Sequence, residues 1–110
     1  MSQITTHVLD TALGRPAAGV PVTLEHRASG VWTLLDQAVT DADGRVGQLG
    51  AESLKAGDYR LTLDTAKYFT ATGQAGFFPE VTLVFTVVDA SHHHVPLLLS
   101  PFAFSSYRGS

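Results

Sequence analysis

Five of the 110 residues are histidine (His7, His26, His92, His93 and His94), in a chain that contains no cysteine. Imidazole titrates close to neutrality, so it can accept a proton from water and return it to a leaving group. Strand alternation sorts these residues onto faces. In ITTHVLD (4–10) His7 shares a face with Thr5 and Leu9, opposite Ile4, Thr6 and Val8. In HHHVPLLLS (92–100) His92 and His94 share one face, while His93 turns the other way with Val95 and Leu97. For each the plain alternative is a surface or half-buried imidazole on an exposed sheet face. The triplet also raises a metal site. Three or four ligands must converge on a metal, yet consecutive strand residues diverge. Only His92 and His94 could chelate together, the chain offers no Cys or His-Glu-x-x-His pattern, and no metal is expected.

Arg45 follows the turn DADG (41–44). Its guanidinium fork suits a carbonyl or an anion, and a solvated turn residue is the alternative. No Gly-x-Ser-x-Gly elbow, phosphate loop or dinucleotide fingerprint is present. Asp10, Asp41, Asp43 and Asp89 fall at strand ends or turns and read as caps and Asx turns, not as paired acids. The stretch Tyr107-Arg108-Gly109-Ser110 is unlike a loose tail, because Tyr and Arg both make fixed, directional contacts.

The elements that must hold these residues read as short strands punctuated by turns. The expected strands are 4–10, 20–28, 31–40, 45–49, 55–65, 81–89, 93–100 and 102–107. Residues 12–19 read as a loop, Ser29-Gly30 as a hairpin turn and DADG as a second turn. Val20, Val22 and Leu24 should share one face, as should Tyr59, Leu61 and Leu63. DTAKYFTATGQAG (64–76) breaks the pattern. It offers an N-cap, one or two helical turns and Gly73 as a stop. The expectation is an all-β, two-sheet sandwich of seven or eight strands with one short helix, in a single domain over 1–110.

Hydrophobic residues make up 45% and charged residues 15%, enough to bury a core. The low charge share fits a surface partly covered by partner subunits. A net charge of -3 gives no basic field for nucleic acid or anionic lipid. No apolar run approaches the roughly 18 residues of a membrane helix. MSQITTHVLD has neither a basic nor an apolar leader region, so the expected location is the cytoplasm.

Four stretches together resemble the transthyretin-related 5-hydroxyisourate hydrolases of purine catabolism: ITTHVLDTALGRPAAGVPVTLE (4–25), TDADGR (40–45), YFTATGQAGFFPEVTLVFTV (68–87) and HHHVPLLLSPFAFSSYRGS (92–110). The resemblance implies a transthyretin-like sandwich that assembles as a homotetramer, a dimer of dimers, with no cofactor. It implies hydrolytic opening of the six-membered ring of 5-hydroxyisourate at an amide-like C–N bond, giving 2-oxo-4-hydroxy-4-carboxy-5-ureidoimidazoline. By the same resemblance His7, Arg45 and His94 are the catalytic set. Tyr107, Arg108, Gly109 and Ser110, with its carboxylate, belong to substrate binding, and His92 joins them from the face it shares with His94. His93, Phe104 and Ser106 depart from the residues frequent in that family. His93 points away, so little effect on chemistry is expected from it. The competing readings are a small-ligand carrier on the same sandwich, an adhesive sandwich with incidental histidines, and metal binding through His92 and His94.

Overall fold

Alternation along ITTHVLD puts Ile4, Thr6 and Val8 inward at 0–1% exposure, and Thr5, His7 and Leu9 on the opposite face. That strand, β1 (Ile4–Asp10), organises one of two sheets in a computed structural model that describes residues 2–109. The remaining strands are β2 (Arg15–Pro16), β3 (Pro21–Ala28), β4 (Val31–Val39), β5 (Arg45–Leu49), β6 (Gly57–Leu63), β7 (Val81–Val87), β8 (His93–Ser100) and β9 (Ala103–Ser106), with helix α1 (Thr65–Ala71) between β6 and β7.

In the first sheet β8 lies between β1 and β9, parallel to β1 and antiparallel to β9. The far side of β1 is shared, with β5 on its first half and β2 on its last two residues, both antiparallel. The second sheet runs β4-β3-β6-β7, antiparallel throughout. Val22 and Leu24 from β3, Leu61 and Leu63 from β6, and Leu97 and Leu99 from β8 meet between the sheets at 0–1% exposure. The expected inward faces are therefore the observed ones. One strand exceeds the seven or eight expected, because β2 lies inside the expected 12–19 loop. A two-residue pairing is too short to leave an alternation pattern.

On the outer face of the second sheet Arg27 and Arg60 flank Trp32, with their guanidinium carbons 4.6 and 4.4 Å from its ring centroid. Each arginine also holds a carboxylate, Arg27 with Asp58 at 3.0 Å and Arg60 with Glu25 through two bonds of 2.8 and 2.9 Å. Such partly exposed pairs contribute about 0–1 kcal/mol each. A single buried leucine truncated to alanine costs about 2–5 kcal/mol, so the sandwich is held by its interior.

Asp64 caps α1 by accepting from the Lys67 amide at 3.1 Å, and the helix stops before Gly73. Its anchor is Asp10, buried at the end of β1. One Asp10 oxygen accepts from Tyr68 Oη at 2.6 Å and Gln74 Nε2 at 3.0 Å; the other accepts the Ala12 and Leu13 amides at 3.0 and 2.8 Å. Burial pushes this carboxyl up. The hydrogen bonds from Tyr68, Leu13, Gln74 and Ala12 outweigh it and hold the carboxyl below its ordinary value. Burial and the same carboxylate push the Tyr68 phenol up to about 12.

A depressed folded-state pKa stabilises the fold above the unfolded carboxyl's value of about 3.9, and that stabilisation is lost as pH falls through the folded value. Urea unfolding at a series of pH values between 7 and 2 will show Asp10→Asn less stable than wild type near neutrality. The gap will narrow toward the acid end. A gap that stays constant with pH contradicts this role for Asp10.

Candidate functional site

The parallel register of β1 and β8 sets Thr5 beside His94, and the antiparallel register of β1 and β5 sets His7 beside Arg45. Two pairings along one strand thus bring residues from three distant stretches onto the outer face of the first sheet. Arg45 is delivered by the turn before it. The Asp41 carboxylate accepts the Asp43 and Arg45 amides at 2.8 and 3.0 Å, and its carbonyl accepts the Gly44 amide at 2.9 Å. Gly44 takes φ 73°, and a Cβ there would stand 2.3 Å from the Val8 carbonyl oxygen. Only glycine lets this turn pack against β1, where the Gly44 carbonyl accepts the Val8 amide at 2.7 Å.

A pocket of about 220 Å³ opens on this face, lined among others by Thr5, Arg45, Gly47, His92 and His94. The His92 and His94 rings lie 6.2 Å apart between centroids, 28° from parallel, so the two imidazoles share a face as their spacing suggested. The Thr5 hydroxyl sits between them, 2.8 Å from His92 Nε2 and 2.8 Å from His94 Nδ1. His94 Nε2 is the ring nitrogen left for the pocket. His7 donates from Nε2 to the Asp43 carbonyl at 2.9 Å. That bond leaves Nδ1 unprotonated in the neutral ring.

Among the described residues the side-chain ion pairs are Arg27–Asp58 and Arg60–Glu25, so no carboxylate there forms an ion pair with the Arg45 guanidinium. Burial first, then the charges of His92, Arg45 and His7, hold the His94 pKa below its ordinary value of 6.5. His94 is therefore neutral at pH 7, the state a proton acceptor needs. Among the described residues no group of three or more His, Cys, Asp or Glu is placed to hold a metal ion.

The tail divides. The Gly109 amide donates to the His94 carbonyl at 2.8 Å, and a Cβ at Gly109 would stand 2.6 Å from His94 Cδ2. The chain crosses so close to the imidazole that only glycine fits. Tyr107 and Arg108 do not reach this pocket within one chain. They line a groove of about 230 Å³ on the other side of β8, with Leu83, Phe85, Val95 and His93. There Arg108 donates to Ser91 Oγ at 3.2 Å. Ser110 lies outside the described residues. His93 turns inward as expected, 2% exposed, and donates from Nδ1 to the Ser91 carbonyl at 2.7 Å. Phe104 packs edge-on against Phe78, 5.1 Å between centroids. Thr5 was placed on the His7 face by its parity, but nothing in its neighbourhood along the chain announced that it would join two histidines 87 and 89 positions away.

A family model described as HIUase/Transthyretin family matches residues 4–109. A protein of Deinococcus radiodurans called 5-hydroxyisourate hydrolase is 49% identical, over 97% of this chain and 95% of that protein. The Arabidopsis thaliana "Uric acid degradation bifunctional protein TTL" is 47% identical over 97% of this chain, which spans 37% of that longer protein. The structure of Klebsiella pneumoniae 5-hydroxyisourate hydrolase superposes with a TM-score of 0.87 at 37% identity, covering 97% of this chain and 98% of that one.

The electrostatics of the pocket can be read directly by titrating the histidine Cε1 protons by NMR. His94 will titrate below 6.5, and Arg45→Ala will move its midpoint up, because a positive neighbour is removed. A midpoint that does not move on removing Arg45 contradicts the coupling.

Proposed function

The chain belongs to the HIUase/Transthyretin family, and from that membership we propose that it hydrolyses 5-hydroxyisourate in urate degradation. The observation that carries the reading is the pairing, across one small pocket, of the Arg45 guanidinium, which forms no side-chain ion pair among the described residues, with a neutral imidazole at His94. Opening an amide-like ring bond needs those two capacities. A base must take a proton from water as it attacks the carbonyl, and a donor must meet the negative charge that develops on the carbonyl oxygen.

The ring carbonyl faces Arg45, and the attacking water faces His94 Nε2. His94 takes the water proton as the C–O bond forms and the oxygen's charge is met by the guanidinium. It then returns that proton to the ring nitrogen as the C–N bond breaks, giving 2-oxo-4-hydroxy-4-carboxy-5-ureidoimidazoline. His7, its Nε2 proton committed to the Asp43 carbonyl, presents Nδ1 as an acceptor for the water or a substrate N–H. His92 borders the substrate on the solvent side, and Gly109 keeps the tail against His94. No cofactor takes part.

The working unit is a homotetramer, a dimer of dimers, in the cytoplasm. In support, β7 and β9 end their sheets with unpaired edges. Phe77 at 68%, Phe102 at 72% and Val84 at 55% exposure are apolar surface suited to burial between subunits. In that tetramer Tyr107, Arg108 and Ser110 serve substrate binding, although within one chain Tyr107 and Arg108 line a separate groove.

The test generates 5-hydroxyisourate in situ from urate and uricase and follows its ultraviolet absorbance. The protein will speed its decay well above the spontaneous rate. His94→Ala will cost about 10²–10⁴-fold and Arg45→Ala about 10²–10³-fold, both variants remaining folded. Spontaneous decay in the presence of folded wild-type protein refutes the hydrolase and leaves a ligand-binding role for the sandwich.

A further inference from the structure

A hydroxyl has one proton to give, yet Thr5 Oγ1 meets a ring nitrogen on each side, His92 Nε2 and His94 Nδ1, at 2.8 Å in both cases. It can donate to at most one of them and accepts from the other. When the hydroxyl donates to one ring, the three groups share a single direction of hydrogen bonding, and that direction sets the tautomer of both histidines. Thr5 is itself only 6% exposed and stands beside His94 in the β1–β8 register, so its position is set by the sheet. His92 precedes β8 and is open to solvent.

One direction leaves an unprotonated nitrogen on His94 facing the pocket. His94 Nδ1–H donates to Thr5, Thr5 O–H donates to His92 Nε2, and His94 Nε2 carries the lone pair. We infer that Thr5 is a positioning residue that holds His94 in this tautomer and links it to His92 as a proton relay. The inference rests on the hydrolase reading of the same pocket.

Protons balance at each step. As water adds to the carbonyl carbon, its proton passes to His94 Nε2, the Nδ1 proton of His94 passes to Thr5 Oγ1, and the hydroxyl proton of Thr5 passes to His92 Nε2. The positive charge thus rests on the exposed ring of His92. It does not stay on His94, which is half-buried and faces Arg45 from β5 and His7 from β1. As the C–N bond breaks, the proton on His92 Nε2 returns through Thr5 to His94 Nδ1 in the same step in which His94 Nε2–H goes to the ring nitrogen, so His94 stays neutral and the starting tautomers are restored.

Thr5→Val keeps the shape and removes the hydroxyl, and Thr5→Ser keeps the hydroxyl. Nitrogen-15 spectra of the histidine rings read the tautomers without any turnover. In wild type and Thr5→Ser, His94 will show a protonated Nδ1 and a bare Nε2, and in Thr5→Val the two tautomers will mix. In the 5-hydroxyisourate assay, Thr5→Val and His92→Ala will each lower kcat about tenfold or more, a share of the roughly 10²–10⁴-fold a positioned base contributes. KM will stay near wild type in Thr5→Val, and Thr5→Ser will recover most of the loss. The inference is overturned by a bare Nδ1 on His94 in wild type, by tautomers unchanged in Thr5→Val, or by His92→Ala turning over like wild type. Failure of the hydrolase reading shows separately, as no turnover by wild type, and the spectra then still decide whether Thr5 sets the tautomer.

Discussion

The parallel pairing of β1 with β8 is the constraint on which the remaining features depend. It joins strands that lie at opposite ends of the chain and places Thr5 opposite His94. Strand side chains repeat every two residues, so a slip of one position in β8 would turn His94 into the core and His93 out. The register is held because Val95, Leu97 and Leu99 are buried to within 7%. Exposing that set would forfeit roughly 1.5–3 kcal/mol per side chain. The apolar alternation of β8 thus decides which imidazole faces the pocket.

The same sheet explains why a positively poised pocket is tolerated. Arg45, His92 and His94 line the pocket and His7 acts on His94 from beside it, with no carboxylate pairing the guanidinium among the described residues. The Asp41 carboxylate lies nearby, but it is spent on the amides of the turn that delivers Arg45. The carboxyl groups thus shape the backbone and leave the field of the arginine directed at whatever enters the pocket. His94 pays for this by staying neutral.

Much of this architecture is legible in the sequence. Alternation identified the inward faces of β1, β3, β6 and β8, turn residues marked the hairpins, and Asp64 with Gly73 bracketed the helix. These features are local, with periods and punctuation that a single stretch reveals. The partners of strands are not local. Nothing in ITTHVLD says that it will lie against HHVPLLLS, so the bridging hydroxyl of Thr5 stayed hidden although its face was known. The tail illustrates the same limit. The resemblance groups its residues in one site, whereas within one chain Gly109 meets His94 and Tyr107 and Arg108 face the groove behind β8. The Asp10–Tyr68 bond, spanning 58 positions, was invisible for that reason too.

Trp32 is the single tryptophan of the chain, and it lies between two guanidinium groups on the outer face of the second sheet. The histidine pocket opens on the outer face of the first sheet, with the whole interior between them. Ultraviolet emission from this indole therefore reports on one sheet alone. It will follow the loss of the sandwich while remaining blind to substitutions in the pocket. The molecule carries its own optical means of telling a variant that has lost its chemistry from one that has lost its fold.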